Sequence, residues 1–480
     1  MIWRAGVPIA AGVIVAMLPV PAGLDQSAWY YVAIFVAVIL GLITEPLPPS
    51  AVGFIGVTIA AAAGLPFTAA QRAVPGFRLP AESVRWALSG FSNGTVWLIF
   101  AAFVFAMGYE KTGLGRRVAL LMVKWLGHRT LGLGYAVALS DLLLAPFTPS
   151  NTARSAGMIY PVIRNIPELY GVSSSDPPRP FGTAVMWIAF ATTCVTSSMF
   201  VTALAPNLFL LDLARTTTGV VITWTDWFVG FLPMGALLLL VVPWLTFRVH
   251  PPEAATSADV PRWAAGALLA MGPVSRRELG MAALALLSLA LWIFAGAVLD
   301  ATLVAMIAVS LMLVTGIISW EDVLHNAAAW NVLAWFATLL ALADGLNRVG
   351  VVAWLGHGSA ALLGGLPPLV VMTLLVAIFF LMHYVFAGIT AHAAAVAPVF
   401  VAAGAAIDGL PIRTFIMLLG FSLGVMGVLT PYATGPAPVY YGCGFIGRRE
   451  FWRLGLLFGL LFLATLLGIG VPWLQVVNGT

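Results

Sequence analysis

Six consecutive residues, Pro149-Ser150-Asn151-Thr152-Ala153-Arg154, place hydroxyls, an amide and a guanidinium between two apolar runs, Leu131 to Phe147 and Ala156 to Ile166. A second interruption, Ile389-Thr390-Ala391-His392, stands between apolar runs about half the chain later. Where a helix pair breaks at such a point, the second arm begins with N–H groups that lack intrahelical partners and with the positive end of a helix dipole. Both attract an anion. The Ser150 and Thr152 hydroxyls and the Asn151 amide supply hydrogen bonds of the kind a carboxylate accepts. The same residue types also cap helices and bind nothing. The second break, the repeated order and Arg154 favour the anion site.

Two further points read as unwound helix, because proline and glycine free backbone groups. They are Pro206-Asn207, following Ala205, and Gly435-Pro436, following Thr434. Four interruptions around a pseudo-two-fold axis enclose a cavity near the midplane of a membrane. The predicted binding set is therefore Ser150, Asn151, Thr152, Thr390, Ala391 and His392 at the breaks. Ala205, Pro206, Asn207, Thr434, Gly435 and Pro436 join them at the unwound points. A buried arginine costs roughly 3 kcal/mol or more, so Arg154 reads as a fixed positive charge beside the anion, with His392 as its counterpart. Asp141, Glu45 and Asp344 are candidate buried acids. Pairing with a basic neighbour is the favoured reading and proton relay the alternative. His383 and His357 read as structural, and Cys194 and Cys443 as core residues with no metal or disulfide spacing.

These residues need elements to hold them. The chain has 480 residues, of which 61% are hydrophobic and 8% charged, and a mean hydropathy of +1.02. A soluble domain carries roughly a quarter charged residues. The composition predicts an all-α polytopic membrane protein, with about 11 transmembrane helices and two re-entrant helical hairpins in an inverted repeat. The spans fall at 6–21, 28–45, 50–65, 95–112, 181–200, 228–247, 279–298, 301–318, 330–346, 413–428 and 452–474. The hairpins are 131–166 and 367–407.

The organisation follows as N-terminal scaffold spans in 1–90, a first repeat in 91–247, a cytoplasmic linker in 248–278 and a second repeat in 279–480. Arginine and lysine clusters after the fourth span and in the linker place those loops in the cytoplasm. The N-terminus is then cytoplasmic and the C-terminus external. The first hairpin opens from the cytoplasm and the second from outside. The stretch 67–90 reads as an external interfacial segment. No basic cluster interleaved with aromatics points to nucleic acid. An intramembrane hydrolase using Ser150 and His392 is a distant alternative, since no Gly-x-Ser-x-Gly elbow or His-Glu-x-x-His motif occurs. No catalytic residue, metal or cofactor is assigned.

The run Ala145-Pro146-Phe147-Thr148-Pro149-Ser150-Asn151-Thr152-Ala153-Arg154-Ser155 with Ile159-Tyr160-Pro161 resembles the divalent anion:sodium symporter family. Thr390-Ala391-His392 with Pro398-Val399-Phe400, and Pro431 to Tyr440, resemble its 2-oxoglutarate/malate translocator and citrate/succinate antiporter branch. The resemblance implies a homodimeric, elevator-type transporter of di- or tricarboxylates such as 2-oxoglutarate, malate and succinate. It implies a bacterial inner membrane location and Ser-Asn-Thr motifs at both tips. The first motif is present. The second is replaced by Thr390-Ala391-His392. In sodium-coupled members backbone groups near the unwound points also hold sodium, here near Ala205 and Gly435. The replacement predicts sodium-independent exchange, with Arg154 and His392 standing in for the cations. A sodium-coupled symporter of the same fold is the alternative.

Overall fold

The computed structural model describes residues 2–172, 178–252, 258–296, 298–363 and 365–479, and among these every regular element is helical. Eight helices are long and apolar enough to cross a bilayer, and five shorter apolar helices accompany them among the described residues. Predicted spans recur with ends shifted by a few residues. Residues 28–45 become Gln26–Thr44, 228–247 become Trp224–Val249, and 330–346 become Ala327–Arg348. Outward-facing side chains such as Phe294, Leu286 and Leu240 are exposed, as expected of surfaces that meet lipid.

Among the described residues, four helices of more than ten residues lie outside the predicted spans and hairpins: Leu114–Leu126, Ala205–Thr218, Asp259–Ala270 and Val351–Leu363. The first three carry charges that lower their hydropathy below that of a span. Asp259–Ala270 packs on Leu114–Leu126, so the 248–278 linker is partly folded. Arg117 fastens this corner. Its Nε donates to Glu278 at 2.6 Å and its guanidinium to the Gly272 carbonyl.

The element order of the first half recurs in the second. Gly94–Thr112, Leu114–Leu126 and the hairpin from Thr130 are matched by Ala327–Arg348, Val351–Leu363 and the hairpin from Pro368. Both long helices are followed by a glycine in the left-handed region, Gly113 at φ 78° and Gly350 at φ 82°. Glycine takes that conformation without a Cβ penalty and stops the helix there.

Pro180–Met199 is the central post, buried from Phe181 to Met199. It packs against Thr130–Leu144, Trp224–Val249 and Ile412–Val425. Small residues let neighbouring helices come close. A Cβ at Gly90 would overlap the Ala337 backbone, and one at Gly53 the Thr338 side chain. These contacts set Ala327–Arg348 against the N-terminal helices, where the two groups share one cavity wall.

Candidate functional site

Each hairpin is interrupted at its centre. The first descends as Thr130–Leu144 and a 3-10 turn, Ala145–Phe147, and returns as a π-helical segment, Thr152–Ile159, that continues into Tyr160–Ile163. The Tyr160 N–H bonds to the Ser155 carbonyl, an i to i−5 link. Segments of this kind recur at functional sites. The second hairpin runs Pro368–Met382, turns at His383–Val385, and returns as Ile389–Ala405.

The two tips are cross-linked to the broken helices that follow them. The Ala205 N–H donates to the Pro149 carbonyl at 3.0 Å. Asn151 Nδ2 donates to Thr434 Oγ1 at 2.8 Å. His383 donates through Nε2 to the Ala433 carbonyl at 2.8 Å. Tips and breaks together line one cavity of about 410 Å³, which includes Ser150, Asn151, Thr152, Ala205, Pro206, Thr390, Ala391, Thr434 and Gly435. Three helices of eight or more residues start on this cavity, at Thr152, Ala205 and Ile389. Ser150 Oγ accepts from the Ala153 N–H. No side chain caps Ile389–Ala405, because Gly388 precedes it. The first N–H groups of the Ala205 helix are bonded or, at Pro206, absent, so the starts at Thr152 and Ile389, with the hydroxyls and one amide, are what the arrangement offers an anion.

Four predicted site residues stand elsewhere. Asn207 is fully buried and donates to the carbonyls of Ser197, at 2.8 Å, and Phe200. It thus satisfies groups freed where the central helix ends. The unwound stretch is Phe200 to Leu204. Pro206 lies in the first turn of the next helix, where a missing N–H costs nothing. Pro436 precedes the short helix Ala437–Tyr441 and is buried away from the cavity.

Arg154 and His392 are the larger corrections. Neither lines the cavity and both are fully buried. Each follows a cavity-lining threonine by two residues, and on a helix that is a rotation of about 200°. The side chain therefore points behind the tip. Arg154 Nε donates to Asp141 at 3.1 Å. Its Nη1 meets the carbonyls of Thr148, at 2.8 Å, and Ala203, and its Nη2 meets the hydroxyls of Thr193, Thr196 and Ser197. Thr196 also donates to Asp141.

Among the described residues His392 has no hydrogen-bond partner at either ring nitrogen. Its ring packs perpendicular to Phe379, 4.5 Å between centroids, and edge-on to Phe386 and His383. The register is the same in both hairpins, since Arg154 lies 13 residues after Asp141 and His392 lies 13 after Phe379. With His392 outside the cavity, the Ser150–His392 pair required by a hydrolase is not formed.

The acids separate by environment. Asp141 is paired with Arg154, and Asp344, on the partly exposed end of its helix, with Arg348 at 2.5 Å. Glu45 is exposed and lines the cavity. Sequence reasoning missed Ser50, Phe103, Asn331, Trp335 and Phe336, which also line the wall. Nothing in their local sequence distinguishes them from ordinary helix residues. Among the described residues no three His, Cys, Asp or Glu side chains converge as a metal site would need.

Close approach at the tip gives a direct test. A Cβ at Gly435 would overlap Thr152 Oγ1. Gly435→Ala should therefore displace Thr152 and weaken ligand binding at least tenfold, with the thermal midpoint of the purified protein lowered by only a few degrees. Ligand-dependent thermal shifts measure both effects.

A sequence model described as the sodium:sulfate symporter transmembrane region matches residues 1–479. The chain is 49% identical over 478 residues to the L-tartrate/succinate antiporter of Escherichia coli strain K12, covering 99% of this chain and 98% of that one. It is equally similar to the Shigella flexneri protein of the same name. Among solved structures, the Alcanivorax borkumensis YdaH transporter superposes with a TM-score of 0.59 at 17% identity, over 90% of this chain and 99% of that one. Neisseria gonorrhoeae MtrF gives 0.56 at 15%, over 91% and 96%. At such identities these two likenesses concern the fold alone. Hairpin motifs, a family match along the chain and near-half identity to antiporters agree: the protein belongs to the sodium:sulfate symporter, or divalent anion:sodium symporter, family and is a membrane transporter, not an enzyme.

Proposed function

We propose that the protein exchanges small dicarboxylates across a bacterial inner membrane without sodium coupling, as a homodimer working by an elevator-type movement. The observation that carries this reading is the convergence of the helix starts at Thr152 and Ile389, with the Asn151 amide and the Ser150, Thr152, Thr390 and Thr434 hydroxyls, on one cavity. Two carboxylates of a C4 acid match two such tips. The relatives' names supply L-tartrate and succinate as first candidates. Malate and 2-oxoglutarate share their charge.

Sodium independence is supported by what Arg154 does behind the tip. Two carbonyls, three hydroxyls and a carboxylate converge on its guanidinium. Oxygen donors of this kind suit a hard cation, and here a tethered one already holds them. Asp141 neutralises that charge, so obligatory exchange does not follow from a fixed positive site. It rests on the kinship with antiporters. In the orientation set by the arginine and lysine clusters, the wall carrying Glu45, Ser50 and Asn331 faces the cytoplasm, and the cavity opens inward.

Proteoliposomes loaded with succinate test this. Labelled succinate or L-tartrate should enter at rates equal within about twofold in sodium and in choline buffers, and empty vesicles should take up almost none. Uptake into empty vesicles driven by a sodium gradient would instead identify a symporter.

A further inference from the structure

Glu45 is the only charged side chain on the cavity wall among the described residues. It ends the helix Gln26–Thr44 at φ 46° and ψ 55°, and is the only non-glycine residue with positive φ among the described residues. A side chain held there is under backbone strain, which concentrates at functional positions. Its carboxylate has neither an ion pair nor a hydrogen bond among the described residues. Nearby, Ser50 Oγ donates to Asn331 Oδ1 at 3.3 Å, which leaves the Asn331 amide hydrogens free to donate. Trp335, on the same wall, has an indole N–H without a partner among the described residues.

A carboxylate is the wrong group to place beside a dianion unless it meets a donor. A C4 dicarboxylate held at its ends by the two tips turns its middle carbons toward the remaining wall. A hydroxyl on those carbons can donate to Glu45, and its oxygen can accept from Asn331. A third carboxylate in that place meets like charge.

We infer that Glu45, with Ser50 and Asn331, forms a subsite for the middle of the substrate, which selects hydroxylated C4 dicarboxylates and excludes tricarboxylates. The inference rests on the dicarboxylate reading above. Hydrogen bonds to a charged acceptor are about twice as strong as those to a neutral one. Glu45→Gln also removes the repulsion felt by every dianion. In succinate-loaded vesicles, the lost repulsion should lower the KM for succinate. The variant's preference for L-tartrate over succinate, as the ratio of kcat/KM, should fall about tenfold. Citrate, inert toward the wild type, should become an inhibitor.

An unchanged tartrate preference with citrate still inert would overturn the subsite while leaving dicarboxylate exchange standing. Wild-type vesicles that exchange no dicarboxylate would overturn the parent reading instead. Glu45→Asn suits the left-handed backbone better and repeats the measurement if the glutamine variant does not fold. Asn331→Ala provides a third reading and should lower the tartrate preference in the same direction.

Discussion

Arg154→Ala is expected to destabilise the protein by about 3–5 kcal/mol and to leave little of it assembled, because it strands Asp141 as an unpaired buried charge. The arginine is 0% exposed and the aspartate 1%. Its six contacts join the first hairpin to the unwound stretch through Ala203 and to the central helix through Thr193, Thr196 and Ser197. The substitution therefore leaves polar groups of three elements unsatisfied at once, each of which carries its own desolvation cost.

Yield of monodisperse protein and thermal midpoint in detergent report the effect. The double variant Arg154→Met with Asp141→Leu removes both charges and restores volume, so most of the stability should return. Exchange should not return, since the Thr148 and Ala203 carbonyls that frame the tip lose their donor. A single variant with wild-type yield and midpoint would refute the placement of Arg154, and a double variant with full exchange would remove it from function.

The outline of this molecule is legible in its sequence because the bilayer demands apolar runs of fixed length and tolerates a break only where protein or water covers it. Ser150-Asn151-Thr152 and Thr390 mark the two breaks, and both lie on the cavity. The facing of Arg154 and His392 was legible too, since a spacing of two from a cavity-lining threonine turns a helical residue to the other side. Residue chemistry alone points the other way, toward a place beside the anion. What the sequence does not carry is the far wall. Ser50 and Asn331 are 281 residues apart and meet only because glycines at 53 and 90 let distant helices touch. Amphipathic helices such as Leu114–Leu126 were hidden for a different reason, since their charged face cancels the hydropathy by which spans are found.

Asn151→Asp should produce the largest loss of transport for the smallest change of shape. The two side chains have nearly the same volume, and Thr434 can reverse its role and donate to the new carboxylate across the 2.8 Å contact. The fold should therefore hold, with a thermal midpoint within a few degrees of the wild type. A substrate carboxylate at the tip, however, would meet a fixed negative charge in place of an amide donor. At a separation near 4 Å and an effective dielectric constant of about 20, that repulsion is about 4 kcal/mol, or close to a thousandfold in affinity. Lowering the pH to protonate either partner should recover part of the loss, which a merely structural defect would not do. Asn151→Ala removes the donor without adding the charge and should lose only about tenfold. If the two variants lost affinity equally, the tip would not be where a carboxylate sits, and the anion site would have to be sought elsewhere on the cavity wall.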